Sequence, residues 1–357
     1  MTVSRFLIAL LAVFSTPGTY LPCQSPAEPT AHDDLPDPDG KAADIAKKVQ
    51  VFVLLGQSNM LGFGKVTPAD KEGSLEHAVR TEKLYPFLVD DEGRWTERKD
   101  VRNVRVMVQR GGGMKVFLNE WLTVRGKHIG PEVGIGHRLG NLLDAPVLLL
   151  KSCIGNRSLG WELLPPGSER FEREGKVYAG YKDSPDAWDK GTEPKAIRWY
   201  AGKQYDDDIA NAKKVLADLD TYYPGAKGYE IAGFFWWQGA KDCGNPAHAE
   251  RYERNLVRLI EQLRKDFDAP EAKFVCATLG HVEKGARGNE GLVLAGQLAV
   301  DGDAGKHAAF EGNVATVYAR PFCHGGSANS HYAGNAKTYM DVGLAMGAAM
   351  EKLLARK

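Results

Sequence analysis

The sequence has no C-x-x-C pair, no zinc-finger spacing and no H-E-x-x-H run, so no metal centre can be read from it. It also lacks a Walker loop. Gly111, Gly112 and Gly113 are not followed by Lys and Ser or Thr, and they read as a flexible turn. Neither sign of charge is in excess: Lys+Arg and Asp+Glu number 46 each. No basic stripe stands out, which argues against nucleic acid as a partner. Glycine has no period and no internal repeat is visible, so collagen-like and solenoid readings fall away. What remains is an ordinary globular composition, 43% hydrophobic and 26% charged over 357 residues, enough for one large domain or two small ones. No cofactor and no metal is expected.

Long apolar runs are missing too. The longest, Phe6 to Phe14 behind Arg5, falls short of the about 20 residues that span a bilayer. A positive start, a short apolar core and the breakers Ser15, Thr16, Pro17 and Gly18 describe an export signal. Residues 1–23 are therefore assigned to a signal peptide, with no transmembrane segment in the mature chain. The product is expected to be secreted or periplasmic, a lipid anchor at Cys23 being the lesser alternative. Residues 24–47 are rich in Pro, Asp and Ala without apolar periodicity and read as a flexible linker. The folded domain should then occupy 48–357. Of the five cysteines, Cys243 and Cys323 are the favoured couple for a bridge in an oxidising compartment, and the reading in which none is paired stays open.

Five short runs have the continuous apolar character of strands buried on both faces: 50–55, 146–151, 230–236, 273–279 and 313–318. Helical patterns lie at 132–143, 205–220, 247–267 and 333–354. In the third, Tyr252, Leu256, Leu259, Ile260 and Leu263 share one face. Strands alternating with helices predict an α/β fold, a five-stranded parallel sheet in a three-layer α/β/α sandwich. Ligands in such sheets bind beyond the C-terminal strand ends. The stretches 63–128 and 161–203 carry little regular pattern. The second is rich in aromatics, among them Trp161, Phe171, Trp188, Trp199 and Tyr200, which suit either a sugar cleft or satellite packing under long loops.

The residues just past the strand ends are the chemically interesting ones. Ser58 sits in Gly56-Gln57-Ser58-Asn59-Met60, where Gly56 allows a tight turn that exposes the hydroxyl. A serine needs a positioned base to act as nucleophile, and a lone serine after a strand more often caps a helix. The second strand is followed by Gly155, Asn156 and Arg157, the third by Gln238 and Asp242, and the last leads to His331. His128, His137, His248, His281, His307 and His324 show no metal-ligand spacing. His324 is the one rival base, and His137 reads as structural.

The GQSNM block resembles the nucleophile block of the sialate-O-acetylesterase-like carbohydrate esterases in the SGNH-hydrolase superfamily. The resemblance continues through Gly130-Pro131-Glu132, the Gly155 segment, Trp237-Gln238-Gly239 and the His331 segment, in the family's order, over roughly residues 50 to 350. It implies a flavodoxin-like fold of the SGNH type, with Ser58 as nucleophile and His331 as general base. It also implies an oxyanion hole made by Ser58, Gly155 and Gln238. Donors of that kind are worth about 3–4 kcal/mol each. Gln57, Asn59, Asn156, Arg157 and Trp237 are candidate substrate contacts, Arg157 being the cation a carboxylate-bearing sugar would want. The implied partner is an acetylated carbohydrate; the sequence does not define the oligomeric state.

Two positions depart from the family pattern. The acid usually found three residues before the histidine is Ala328 here, and the third block continues Gly239-Ala240-Lys241-Asp242 instead of with Gly-Glu. An orienting carboxylate fixes the imidazole tautomer and stabilises the imidazolium. Its role can pass to Asp242, Glu132 or a backbone carbonyl near Asn329, or the enzyme can run as a Ser-His dyad, or the site can be degenerate. The expected activity is removal of O-acetyl groups from carbohydrates through an acyl-enzyme. The alternatives are an esterase or lipase on non-sugar esters and a carbohydrate-binding protein that has lost catalysis.

Overall fold

β1 (Val49–Gly56, VQVFVLLG) is buried over nearly its whole length, as a strand flanked on both edges and covered on both faces must be. The computed structural model describes residues 35–356, within one compact unit, Ala31–Lys357. The signal-peptide reading, Cys23 and the first part of the linker lie outside the described residues. Residues 35–48 run without helix or strand ahead of β1.

The central sheet adds β2 (Glu97–Val108), β3 (Met114–Thr123), β4 (Val147–Ser152), β5 (Tyr229–Trp237), β6 (Lys273–Ala277) and β7 (Val314–Val317), in the order β7-β6-β5-β1-β4-β2-β3. All five expected strands are present, and neighbours from β7 to β2 run parallel. The sheet is nonetheless mixed and seven-stranded, because β2 turns through Gly112 and Gly113 into the antiparallel β3. Both missed strands lie in the stretch 63–128. β2 (ERKDVRNVRVMV) alternates polar residues with buried Val101, Val104 and Val106, and β3 leaves most of its length partly exposed. A search for continuous apolar runs passes over such mixed and part-exposed strands.

Helices α1 (Ser58–Leu61), α2 (Glu132–Leu142), α3 (Lys203–Ala217), α4 (Pro246–Asp266), α5 (Gly288–Ala299) and α6 (Ala336–Leu354) carry the connections. α2 and α6 pack on each other, α2 against β2 and β4 and α6 against β6 and β7; α3 lies against β2 and β4, and α4 against α5. The Asn245 side chain accepts from the Ala247 N–H with Pro246 opening α4, and Asn335 caps α6 from the Lys337 N–H. The apolar face of α4 is buried as its spacing predicts. α5 was not anticipated; Gly288, Gly291 and Gly296 dilute its helical pattern.

The aromatic stretch 161–203 folds over a small antiparallel sheet of Phe171–Arg173, Lys176–Tyr178 and Ala187–Asp189. Trp161, Leu164, Ala179 and Ala201 form a satellite core there, against which Trp188 and Trp199 pack. Cations cover several of these rings: Arg170 lies over Trp188, Arg157 and Lys203 over Trp199, and Lys182 over Tyr200. Satellite packing thus describes the cluster better than an open stacking wall. Cys153, Cys243, Cys276 and Cys323 are all free thiols, so the expected Cys243–Cys323 bridge is not formed. No helix among the described residues is long and apolar enough to cross a membrane.

Candidate active site

β4, β1 and β5 are adjacent and parallel, so the loops leaving their C-terminal ends lie side by side. These loops carry Gly155, Ser58 and Gln238. Gly56 closes β1 at φ 143°, and a Cβ there would stand 2.4 Å from the Trp237 carbonyl oxygen. Only glycine lets the two strand ends approach so closely before the chain enters α1. Ser58 opens that helix, 93% buried at 7% exposure, and its hydroxyl has no hydrogen-bond partner among the described residues. A Cβ on Gly155 would be 3.4 Å from the Ser58 Cβ, which places the Gly155 backbone directly against the serine.

α1 is held from below by a buried ion pair that sequence reasoning missed. The Glu132 carboxylate accepts from Lys151 Nζ at 2.5 Å and from the Gly130 N–H at 3.1 Å. Lys151 also donates to the Leu61 carbonyl, 3.1 Å away, at the end of α1. A lysine in the otherwise apolar run of β4 was the signal. Glu132 is therefore committed to Lys151 and is not an orienting group for the histidine.

His331 follows β7 on a turn in which His331, Tyr332 and Ala333 all take left-handed angles, with φ of 53°, 52° and 54°. Such angles cost about 1–2 kcal/mol per non-glycine residue and persist only where the surroundings dictate them. Here Tyr332 is fully buried, its ring stacked on Trp237 at 5.8 Å and its hydroxyl accepting from the Gly280 N–H at 3.1 Å. The Ala328 N–H donates to His281 Nδ1 at 3.1 Å, while His281 Nε2 meets Glu290 at 3.0 Å. Asn59 ties the turn to α1: its amide donates to the Ala328 carbonyl at 3.3 Å and its oxygen accepts from Tyr339 at 3.4 Å. The His331 imidazole stacks on Phe63, ring centres 4.1 Å apart and 7° from parallel. Burial lowers its pKa below the ordinary 6.5, which favours the neutral ring a base requires.

No carboxylate touches the His331 ring among the described residues. Asp242, expected as the orienting acid, is fully buried elsewhere in the site. It accepts from the Leu159 N–H at 2.9 Å, the Gly160 N–H at 2.8 Å and Gln238 Nε2 at 2.5 Å. Burial raises its pKa, and those donors together with His248 work against the rise. Gln238 in turn donates to the Arg157 carbonyl at 2.9 Å, and its Oε1 accepts from Tyr252 at 3.0 Å. One amide hydrogen is thus engaged with the loop after β4 and the other with Asp242, and neither is left for Ser58 in this arrangement. Asp242 and Gln238 hold the loop that presents Gly155.

The remaining candidates divide sharply. Gln57 is buried, its Oε1 accepting from the Gly239 and Lys241 N–H groups at 3.3 and 3.4 Å. Trp237 is a core residue, its Nε1 donating to the Thr278 carbonyl at 3.2 Å. With Asn59 they build the frame, and of the three Gln57 keeps an amide nitrogen without a partner among the described residues. Arg157 folds back over Trp199 and donates to Gln204 at 3.2 Å. Asn156 stays exposed, at φ 56°, next to Gly155. His324 faces Asp341 at 4.0 Å, and His137 is buried against Phe87 with its pKa pushed down to about 3 by desolvation and by Arg98. No group of His, Cys, Asp and Glu suited to a metal occurs among the described residues.

The family described as carbohydrate esterase, sialic acid-specific acetylesterase, matches residues 48–350. No curated protein matches the sequence. Among solved structures, a protein from Arabidopsis thaliana is 16% identical, with 85% of this chain and 98% of that one covered and a TM-score of 0.47. A carbohydrate acetylesterase from Xanthomonas citri is 14% identical at TM-score 0.47; the match takes in 84% of this chain but only 55% of that one. NanS is 15% identical at TM-score 0.36, over 67% and 69% of the two chains. Scores this low carry no weight for the site, so the family match stands by itself.

Proposed function

This chain belongs to the carbohydrate esterase family of sialic acid-specific acetylesterases, and from that membership we propose that it removes O-acetyl groups from sugars through a Ser58–His331 acyl-enzyme. The observation that carries the proposal is the Ser58 hydroxyl, unpartnered and set directly against the Gly155 backbone at the β1–β4 edge. His331, neutral near pH 7, takes the Ser58 proton as Oγ attacks the ester carbonyl. The oxyanion is met by the Ser58 and Gly155 backbone N–H groups, while Gln238 and Asp242 keep the Gly155 loop in place. Collapse breaks the bond to the sugar oxygen, which takes the proton from the His331 imidazolium and leaves as a hydroxyl. Water, deprotonated by His331, then releases acetate and restores Ser58. With no carboxylate at residue 328, the imidazole is oriented by the Phe63 stack and by its left-handed turn, so the machinery is a dyad.

The finer fold reading, a three-layer sandwich of the SGNH type, is supported by helices on the sheet and by chemistry at the β4-β1-β5 ends. Export through residues 1–23 remains part of the proposal on the strength of the sequence. The family's description does not fix the sugar, and sialic acid is one candidate among acetylated glycans. The test is turnover of acetylated monosaccharides against long-chain aliphatic esters by wild type and Ser58→Ala. Acetyl-sugar hydrolysis that collapses in the variant supports the proposal. Preference for long aliphatic esters points to a lipase. Glycan binding without turnover, equal in both proteins, points to a carbohydrate-binding protein.

A further inference from the structure

Away from Ser58, α4 presents Arg251, Arg254 and Arg258 at spacings of three and four, hence on one face. Like charges so placed repel modestly, a cost that a bound anion would remove. Glu250 beside Arg251 is paired with Arg173 at 3.0 Å, and Glu261, three residues after Arg258, makes no ion pair among the described residues. Glu169 reaches Arg254 at 3.4 Å, the Arg251 guanidinium lies over the Phe171 ring at 4.3 Å, and Arg258 has no acidic partner among the described residues. The three side chains line a small pocket of about 20 Å³, room for one oxygen-sized group and open on one side to solvent.

Two neutral groups in the same pocket are also unmatched. Asn255, one turn along α4 from Arg251, is 92% buried at 8% exposure, and its amide has no hydrogen-bond partner among the described residues. The Ser168 hydroxyl oxygen is enclosed and equally without a partner. Buried polar groups are nearly always satisfied, so the enclosed Ser168 hydroxyl calls for an explanation, while the Asn255 amide opens onto the pocket. An amide, a hydroxyl and three guanidiniums facing one hollow form a donor set that lacks its acceptor. Gly160 closes the wall, and its N–H is held by Asp242, so the pocket shares a loop with the esterase site while remaining separate from it. His248, also at the wall, is already engaged with Asp186 at 3.0 Å.

We propose that this pocket is a second binding site, taking an oxyanion group of a glycan, carboxylate or sulfate, on the guanidiniums of Arg251, Arg254 and Arg258 with Asn255 and Ser168 completing its shell. The oxyanion part stands on the pocket alone; the glycan part rests on the esterase reading. The site would anchor a charged sugar of a longer chain while a neighbouring acetylated unit reaches Ser58.

The test is titration calorimetry on the full chain with inorganic sulfate, galacturonate, galactose 6-sulfate and neutral galactose, for wild type, Arg258→Ala and Asn255→Asp. Hydrolysis of a small neutral acetyl ester is measured on each protein, so failure of this site is distinguishable from failure of the esterase reading. Expected is saturable binding of sulfate and of at least one charged sugar, none of galactose, and affinity reduced about tenfold or more in each variant. Ester hydrolysis and circular dichroism should be unchanged. Galacturonate binding over galactose 6-sulfate would identify the group as a carboxylate, and the reverse as a sulfate. No saturable binding of any anion, binding unaltered in both variants, or equal binding of galactose would overturn the proposal.

Discussion

Replacing Lys151 by methionine strikes the support beneath Ser58, the proposed nucleophile, without touching Ser58 or His331. The side chains of Lys151 and Glu132 are 2% and 8% exposed. Removing the ammonium leaves a buried carboxylate with only the Gly130 N–H to accept from. Breaking a buried pair on one side costs about 3–5 kcal/mol, because the remaining charge is uncompensated. For a domain of this size each kcal/mol moves the melting temperature by about 1.5–2 °C, so Lys151→Met should melt roughly 5–10 °C below wild type. Differential scanning calorimetry at pH 7 reads this directly. The double change Glu132→Gln with Lys151→Met removes both charges and should recover most of the loss, since a neutral pair carries little desolvation penalty. Activity should fall more than stability predicts, because the Leu61 carbonyl at the end of α1 loses its donor. A Lys151→Met protein melting within about 1 °C of wild type would refute the reasoning.

The pH dependence of kcat/KM offers a second check. His331 must be neutral to act as base, and burial lowers its pKa from 6.5, so the acid limb should have its midpoint below 6.5. Because the folded pKa is the lower one, the same group contributes stability that is full above 6.5 and lost as pH falls through the lower value. A midpoint above 6.5 would mean that a carboxylate faces the ring after all. Asp242→Asn leaves one of the Leu159 and Gly160 N–H groups without its acceptor, at about 1–3 kcal/mol, and loosens the loop that presents Gly155. The expected result is a drop in kcat of about tenfold to a hundredfold with KM little changed; an unchanged kcat would count against the loop's role. His281→Ala, which frees the Ala328 N–H, should lower kcat without shifting the midpoint of the acid limb. A shifted midpoint would show that His281 acts on the imidazole itself.

The five central strands were legible because strands buried on both faces leave continuous apolar runs, and β1 shows this most clearly. β2 and β3 were not, since β2 mixes Arg98, Arg102 and Arg105 with its valines and the edge strand β3 is mostly part-exposed. The order of functional blocks placed Ser58, Gly155 and the His331 turn correctly with respect to the sheet ends, because loop position follows from strand position in a parallel sheet. What spacing could not tell was which polar residues face the cleft and which hold it. Gln57, Asn59, Gln238 and Asp242 are close in the chain to the reacting groups, yet each is committed to backbone donors or acceptors of neighbouring loops. Those commitments link residues some 80 to 270 positions apart, and no local pattern encodes them. Lys151 was visible as a lone charge in an apolar strand, but its partner Glu132 could be assigned only in three dimensions.

The central claim is that Ser58 is a nucleophile activated by His331 without a carboxylate. Covalent labelling tests it most directly: a fluorophosphonate is incubated with wild type, Ser58→Ala and His331→Ala, and the modified peptide is mapped by mass spectrometry. The account predicts a single phosphonyl adduct on Ser58 in the wild type, none in Ser58→Ala, and labelling slowed about a hundredfold or more in His331→Ala. Wild-type protein that takes no label, or takes it at another residue, would contradict the account, as would His331→Ala labelling at the wild-type rate.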